Sequence, residues 1–239
     1  MSKYFKIFIS ILIILFIVFI IGIGIIVYDG YTIYKNALSK TSIEDKINSI
    51  QSSENYVKLE DLPQIYLDAV VSIEDHRFYD HSGIDIISTF RAILVNIKAN
   101  SLEQGGSTIT QQLSKNIYFT QEKKFTRKIA ELFVSFDLEK KYSKDEILEL
   151  YVNTIFFGQG ATGIGEASRK FFDKIPKDLT DYESTFLAGI PNAPSVYSSS
   201  KNINLARERQ KQVLDSMVKY KKLSQDEANV IYDSVDKVN

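Results

Sequence analysis

Hydrophobic and polar positions divide this chain into two unequal parts. From Ile7 to Val27 the sequence IFISILIILFIVFIIGIGIIV runs twenty-one residues without a charge, which at about 1.5 Å of helical rise per residue spans a bilayer core of about 30 Å. A cleaved signal peptide has a shorter apolar region and a small-residue exit. This run ends in Val27-Tyr28-Asp29 and reads as an uncleaved anchor instead. Lys3 and Lys6 precede it without any acid, so the positive-inside rule puts residues 1–6 in the cytoplasm, residues 7–27 in the membrane and the remainder outside. Lys35 and Lys40, beyond the span, weigh on the other side of that assignment.

Residues 28–55 are polar and mixed and read as a stalk or first helix. From there the periodicity is helical almost throughout. Asp61 is placed to cap a helix with Pro63 in its first turn, and Leu62, Ile65, Tyr66, Ala69, Val70 and Ile73 form an apolar stripe that delivers Glu74 at its C-terminal end. Further helices are predicted over Asp85–Ala99, Thr108–Asn116 and Thr126–Lys141, and two more open on the capping boxes Ser143-Lys-Asp-Glu146 and Ser224-Gln-Asp-Glu227. Strand-like alternation is scarce. The pattern predicts an all-α domain with functional loops and no internal repeat.

Composition narrows the chemistry. Setting Lys3 and Lys6 aside leaves 27 basic residues against 30 acidic ones, a net charge of −3, so nucleic acid is not indicated as a partner. With no cysteine, thiolate metal sites and cysteine nucleophiles are excluded. Both histidines of the chain, His76 and His81, lie in VVSIEDHRFYDHSG, Val70 to Gly83, beside Glu74, Asp75 and Asp80. Three readings compete for that segment. A metal site would need its two histidines to converge, but they stand five apart instead of the four that align ligands on one helical face. A solvated helix C-terminus would use the histidines against the carbonyl end. The third reading is a catalytic glutamate at the lip of a cleft, held against apolar neighbours to serve as a general base.

A second segment, Gln104-GGSTITQQLSKN-Ile117, reads structurally as a loop-to-helix N-cap at Ser107-Thr108. Between Gly105 and Ala130 there is one acid, Glu122, against Lys115, Lys123, Lys124, Arg127 and Lys128. A free helix N-terminus beside such a cluster suits a phosphate or diphosphate, whereas a solvated basic face is the plainer alternative. Tyr118, Phe119 and Phe125 interleave the lysines, a composition that beds into a headgroup interface. Gly158-Gln-Gly160-Ala-Thr-Gly163 matches the dinucleotide fingerprint, but the preceding YVNTIFF continues the helix SKDEILELY, and no βαβ unit follows.

Taken together these segments resemble the glycosyltransferase family 51 domain, found in class A penicillin-binding proteins and in monofunctional enzymes. The family motifs EDxxFxxHxG, GGSTITQQLxKN and RKxxE are matched by Glu74–Gly83, Gly105–Asn116 and Arg127–Glu131. EILExYxNxxxFGxGxxGIxxAS is matched by Glu146–Ser168 and LAGIPNAPSxY by Leu187–Tyr197. The chain departs from the family at Ser198-Ser199, where Asn-Pro is usual, and at Phe171-Phe172-Asp173, where Tyr-Phe-Gly is usual. It stops at Asn239, without room for a transpeptidase domain, which suggests a monofunctional polymerase.

The resemblance implies a lysozyme-like all-α fold that polymerises lipid II on the outer face of the bacterial cytoplasmic membrane. It bounds that domain at residues 56–217, with a helical tail over 218–239. It implies a growing glycan α-linked to undecaprenyl diphosphate as donor and inversion to a β-1,4 linkage. By resemblance Glu74 is the base and Glu131 a second essential carboxylate, which orients cations or holds Mg²⁺ or Mn²⁺ against the diphosphate. Lys115, Arg127, Lys128 and Lys123 face the leaving group, and Ser107, Gln111 and Gln112 contact sugar or phosphate. Asp75, His76 and His81 are scaffolding. No organic cofactor is expected, and other wall-synthesis proteins, including penicillin-binding proteins, are the expected partners. Two rivals stand beside this reading. One is a lysozyme-like glycan hydrolase; the other is an inactive anchored scaffold that binds lipid II.

Overall fold

The computed structural model describes residues 3–99, 105–119 and 124–234. Helix α1 spans Lys3–Lys40 without a break, because neither Pro nor a run of turn residues interrupts it after the apolar stretch. Its apolar part is exposed on all sides, consistent with a membrane anchor. Past Tyr28 its surroundings change. Gly30 is buried, and the Tyr31 and Tyr34 rings pack on Phe133 with centroids 5.3 and 5.5 Å away. Helix α2, Ile43–Gln51, is capped by Ser42, whose hydroxyl accepts from the Asp45 amide at 3.0 Å. Ile43 and Ile47, four apart, enter the core. Residues 28–51, expected as a stalk, are thus built into the domain, since their spaced apolar positions bury when a partner surface is supplied.

The helices that follow are α3 (Gln64–Glu74), α4 (Ile86–Ala99), α5 (Ile109–Tyr118), α6 (Phe125–Lys141) and α7 (Lys144–Val152). Pro63, not Asp61, stands at the N-cap of α3, because Leu59–Asp61 turns as a short 3₁₀ segment. The two capping boxes form as the sequence predicts, with Ser143 and Ser224 each accepting from the amide of the glutamate three residues on.

After α7 the structure differs from expectation. YVNTIFF does not continue the helix: Phe156–Gly158 (β1) pairs antiparallel with Ala161–Thr162 (β2). The turn between them is made by Gly158, Gln159 and Gly160 at φ of 84°, 51° and 79°, a left-handed run that glycine makes cheap. The glycines of the apparent dinucleotide motif therefore serve a hairpin, and among the described residues no parallel strand accompanies it.

Helices α8 (Ile164–Phe172), α9 (Asp181–Gly189), α10 (Pro194–Tyr197), α11 (Ile203–Lys219) and α12 (Gln225–Asp233) complete the fold. Asp173, at the family's usual glycine, ends α8 at φ 54°, a conformation aspartate tolerates better than most side chains. Two groups of helices meet in the core: α3 packs on α9 and α11, and α5 on α6 and α7. Tyr66, Val70, Leu113, Val134, Leu138, Tyr151 and Phe186 fill the space between them. Helix α12 closes over α11 through Ala228 and Ile231. The all-α architecture is as expected, and it sets the end of α3 beside the starts of α5 and α6.

Gly163 sits at φ +80°, and a Cβ there would stand 2.7 Å from the Asn153 carbonyl oxygen. Gly163→Ala is expected to cost about 1–3 kcal/mol, seen as a lower thermal midpoint of the detergent-solubilised protein.

Candidate active site

Glu74 is the last residue of α3 and is 15% exposed. The Gln112 side-chain amide donates to its Oε2 at 2.7 Å, and the Tyr151 hydroxyl donates to the Gln112 carbonyl oxygen at 3.3 Å. Tyr151 is fully buried, and burial pushes its phenol well above the usual value. The phenol is thereby a permanent donor that orients the amide holding Glu74. Arg209 Nη2 of α11 stands 3.9 Å from the other carboxylate oxygen. The apolar setting expected for Glu74 is therefore replaced by an amide on one side and a cation on the other.

Asp75, the next residue, braces the turn. Its buried carboxylate accepts from the Ile109 amide at 3.1 Å and faces His81 Nε2 at 3.0 Å. A carboxylate only accepts, so Nε2 carries the donating proton. Gly83, at φ +79°, returns the chain; its carbonyl accepts from Thr108 Oγ1 at 2.8 Å and from Gln111 Nε2 at 3.2 Å. Two expectations change here. The N-terminus of α5 is partly occupied, because Asp75 takes the Ile109 amide and the capping Thr108 takes that of Gln111. Gln111, expected on substrate, is buried and holds Gly83, so of the glutamine pair only Gln112 reaches the cleft.

His76 stacks on Tyr220 at 4.1 Å, and burial, followed by the nearby Arg91, holds its pKa below the ordinary histidine value. It forms part of a wall, in keeping with scaffolding. Asp75, His81 and Asp85 bring three potential ligand atoms within 4.8 Å of one another. Each is already engaged, Asp75 with His81, and Asp85 with Arg77 at 3.2 Å and the Ser88 hydroxyl at 2.5 Å. The group reads as an ion-pair network.

On α6, Glu131 is 1% exposed and pairs with Arg127 at 2.9 Å and Lys128 at 3.0 Å. These partners lie four and three residues before it, so one helical face carries all three groups. Lys128 also donates to Ser107 Oγ at 2.9 Å, which ties the glycine loop to α6. Lys115 of α5 is within electrostatic reach of both Glu131 and Glu74, while burial first, and then Lys128 and Arg127, lower its pKa from the ordinary lysine value. Lys123 lies outside the described residues. The donor set does not fit a resident divalent ion at Glu131: each carboxylate oxygen already faces a cation, and Lys115 adds a third positive charge.

Two adjoining hollows are lined by part of this set, Glu74, Ser107, Gln112 and Lys115 among them. A cavity of about 260 Å³ is bounded by Glu74, Ser107, Gln112, Arg209, Lys219 and Tyr220. A second, of about 420 Å³, is bounded by Lys115, Asn116, Phe156, Pro191 and Ser195, and Gln112 and Asn192 border both. Arg209, Lys219 and Tyr220 escaped sequence reading because α11 carries no motif, and only the packing of α11 on α3 brings them to Glu74. Tyr118 and Phe119, expected at a headgroup interface, are partly buried. They pack against the core, with the Tyr118 hydroxyl donating to Thr41 O at 2.9 Å. Phe125, by contrast, is 87% exposed.

Comparison with known proteins supplies a family. The transglycosylase family model matches residues 41–218. The chain is 41% identical over 192 residues to penicillin-binding protein 1A of Neisseria lactamica, covering 80% of this chain and 24% of that protein. It is 47% identical over 174 residues to penicillin-binding protein 2D of Bacillus subtilis (strain 168), covering 73% and 25%. The chain thus spans about a quarter of the length of the curated relatives it matches. Among solved structures, penicillin-binding protein 1A of Haemophilus influenzae aligns at a TM-score of 0.46 and 23% identity, over 77% of this chain and 18% of that one. With the family model covering most of the domain, the chain belongs to the transglycosylase family, the glycosyltransferase domain of class A penicillin-binding proteins.

Proposed function

We propose that this chain polymerises lipid II into β-1,4-linked glycan at the outer face of the cytoplasmic membrane, held there by α1. The observation that carries the reading is an oriented glutamate, Glu74, in a cleft whose adjoining hollow is bordered by Lys115 and whose rim residue Ser107 accepts from Lys128, itself paired with the buried Glu131. Glu74 takes the proton from the acceptor 4-hydroxyl, whose oxygen attacks the donor's anomeric carbon. The bond from that carbon to the diphosphate breaks on the opposite face, so configuration inverts without a covalent enzyme intermediate. Gln112, fixed by Tyr151, aims the base. Negative charge grows on the departing undecaprenyl diphosphate, and Lys115, Arg127 and Lys128 stand preorganised to receive it. Glu131 holds Arg127 and Lys128 in place, and the cluster meets the leaving group without a resident metal. Arg209 keeps a positive charge near Glu74 and lines the acceptor side of the cleft.

A polyprenyl substrate stays in the bilayer, so the cleft has to sit at its surface. Two sets of exposed apolar residues suit that placement: Ile86, Ile87, Phe90 and Leu94 on α4, and Phe125 at the start of α6.

Purified full-length protein is expected to convert lipid II to long glycan on a gel, and Glu74→Gln to lose on the order of 10²–10⁴-fold in rate. Short muropeptides released from sacculi in place of polymer would indicate the hydrolase, and lipid II binding without turnover would indicate the scaffold. As pH rises Lys115 gives up its proton before an ordinary lysine and the leaving-group charge is lost, so the rate falls early on the alkaline side. Lys115→Arg, whose guanidinium does not titrate, is expected to move that limb of the pH profile upward; an unmoved limb would assign it to another group. Because the chain has no tryptophan, Phe125→Trp in vesicles is a single reporter. Its emission is expected to be quenched by brominated lipid, and that of Tyr118→Trp to be unaffected.

A further inference from the structure

Helix α6 is gripped from two sides. One face carries Arg127, Lys128 and Glu131, and its Lys128 donates to Ser107 of the loop that borders the cleft. Another, made by Thr126, Ile129, Phe133 and Asp137, carries the membrane-proximal end of α1. Tyr31 and Tyr34 lie against Phe133, and the Tyr34 hydroxyl donates to Asp137 Oδ2 at 2.5 Å. Closest approach falls at Gly30. A Cβ there would stand 2.5 Å from Ile129 Cβ, 2.6 Å from its Cγ2 and 2.9 Å from the Thr126 carbonyl oxygen. Ile129 lies between Lys128 and Glu131 in sequence, so the contact bears directly on the turn that presents the cations. The family match begins at residue 41, so this grip comes from a part of the chain outside it.

We infer that α1 is a positioning element of the active site as well as an anchor, with Gly30 the positioning residue that lets it seat the first turns of α6. The absent side chain allows the two backbones to meet, and the aromatic and hydrogen-bonded contacts at Tyr31 and Tyr34 set the angle at which they do. Any side chain at position 30 lifts the start of α6 from α1 and displaces Arg127, Lys128 and Glu131 together relative to Glu74. A misplacement of about 1 Å at a reacting centre costs on the order of 100-fold in rate. The anchor therefore acts on turnover even where membrane tethering is irrelevant.

This inference rests on the transferase reading of the cleft, and its test separates the two. The chain has no cysteine, so Phe125→Cys and Lys211→Cys, both at exposed positions, accept spin labels that report the distance from the start of α6 to α11. In detergent, Gly30→Ala in the full chain is expected to shift or broaden that distance and to slow polymerisation of lipid II by at least about tenfold. The size-swapped pair Gly30→Ala with Ile129→Gly is expected to return both toward the parent values. If Gly30→Ala fails to fold, Ile129→Gly alone empties the same contact without a clash and is expected to broaden the distance and slow the reaction. An unmoved distance, a displaced α6 with full activity, or a lost rate that stays lost when the distance returns would each overturn the inference. Should the parent protein make no glycan at all, the transferase reading falls, while a distance that shifts in Gly30→Ala and returns in the pair still upholds the positioning of α6 by α1.

Discussion

A single buried carboxylate, that of Asp75, governs how the cleft is assembled. It accepts from the first amide of α5 and from His81 while standing one residue after Glu74, so the base, the returning loop and the cation-bearing helix are registered on one group. Burying a charge is costly unless it is paired and hydrogen-bonded, and here the helix terminus and an imidazole answer it. Removing one partner of such a buried pair typically costs about 3–5 kcal/mol, because the other is left uncompensated. That penalty makes the geometry specific: a register shift of α3 against α5 would strand the carboxylate.

The same logic recurs at Glu131, with the opposite purpose. There a buried carboxylate holds Arg127 and Lys128, and Lys115, which borders the cleft, lies within electrostatic reach of all three. Two buried acids thus divide the work, Asp75 organising the backbone beside Glu74 and Glu131 gathering positive charge on α6. Helix α6 packs against both α1 and α5. A domain in which the anchor packs on the helix that holds the cations has its chemistry and its tether on one structural element.

Much of the fold is legible in the sequence. The capping boxes at Ser143 and Ser224, the stripe that ends at Glu74 and the uncharged run from Ile7 to Val27 are local patterns, set by helical periodicity and backbone capping within a few residues. Family resemblance, and not local pattern, is what groups Glu74, Glu131, Lys115, Arg127, Lys128 and Gln112 as candidates for one site. The errors are as local as the successes. YVNTIFF reads as a continuation of the helix before it, but that helix ends at Val152, and the β-favouring Phe156 and Phe157 enter a hairpin turned by the left-handed glycines Gly158 and Gly160. The stalk looked polar because its few apolar positions, such as Ile43 and Ile47, matter only once a core is offered to them.

By itself the sequence determined which residues can form helices, where those helices are capped, and which acidic and basic side chains are available to a site. Tertiary structure decided which of them meet. It buried Gln111 and left Gln112 on Glu74, set Asp75 against the α5 terminus, and brought Arg209 and Tyr220 to the cleft from a helix without a motif. It also pressed Gly30 against Ile129 across about a hundred residues of chain. The physical reason is common to all of these. Periodicity and capping are short-range and are written along the chain, whereas burial and ion pairing depend on distances that exist only after distant segments have packed.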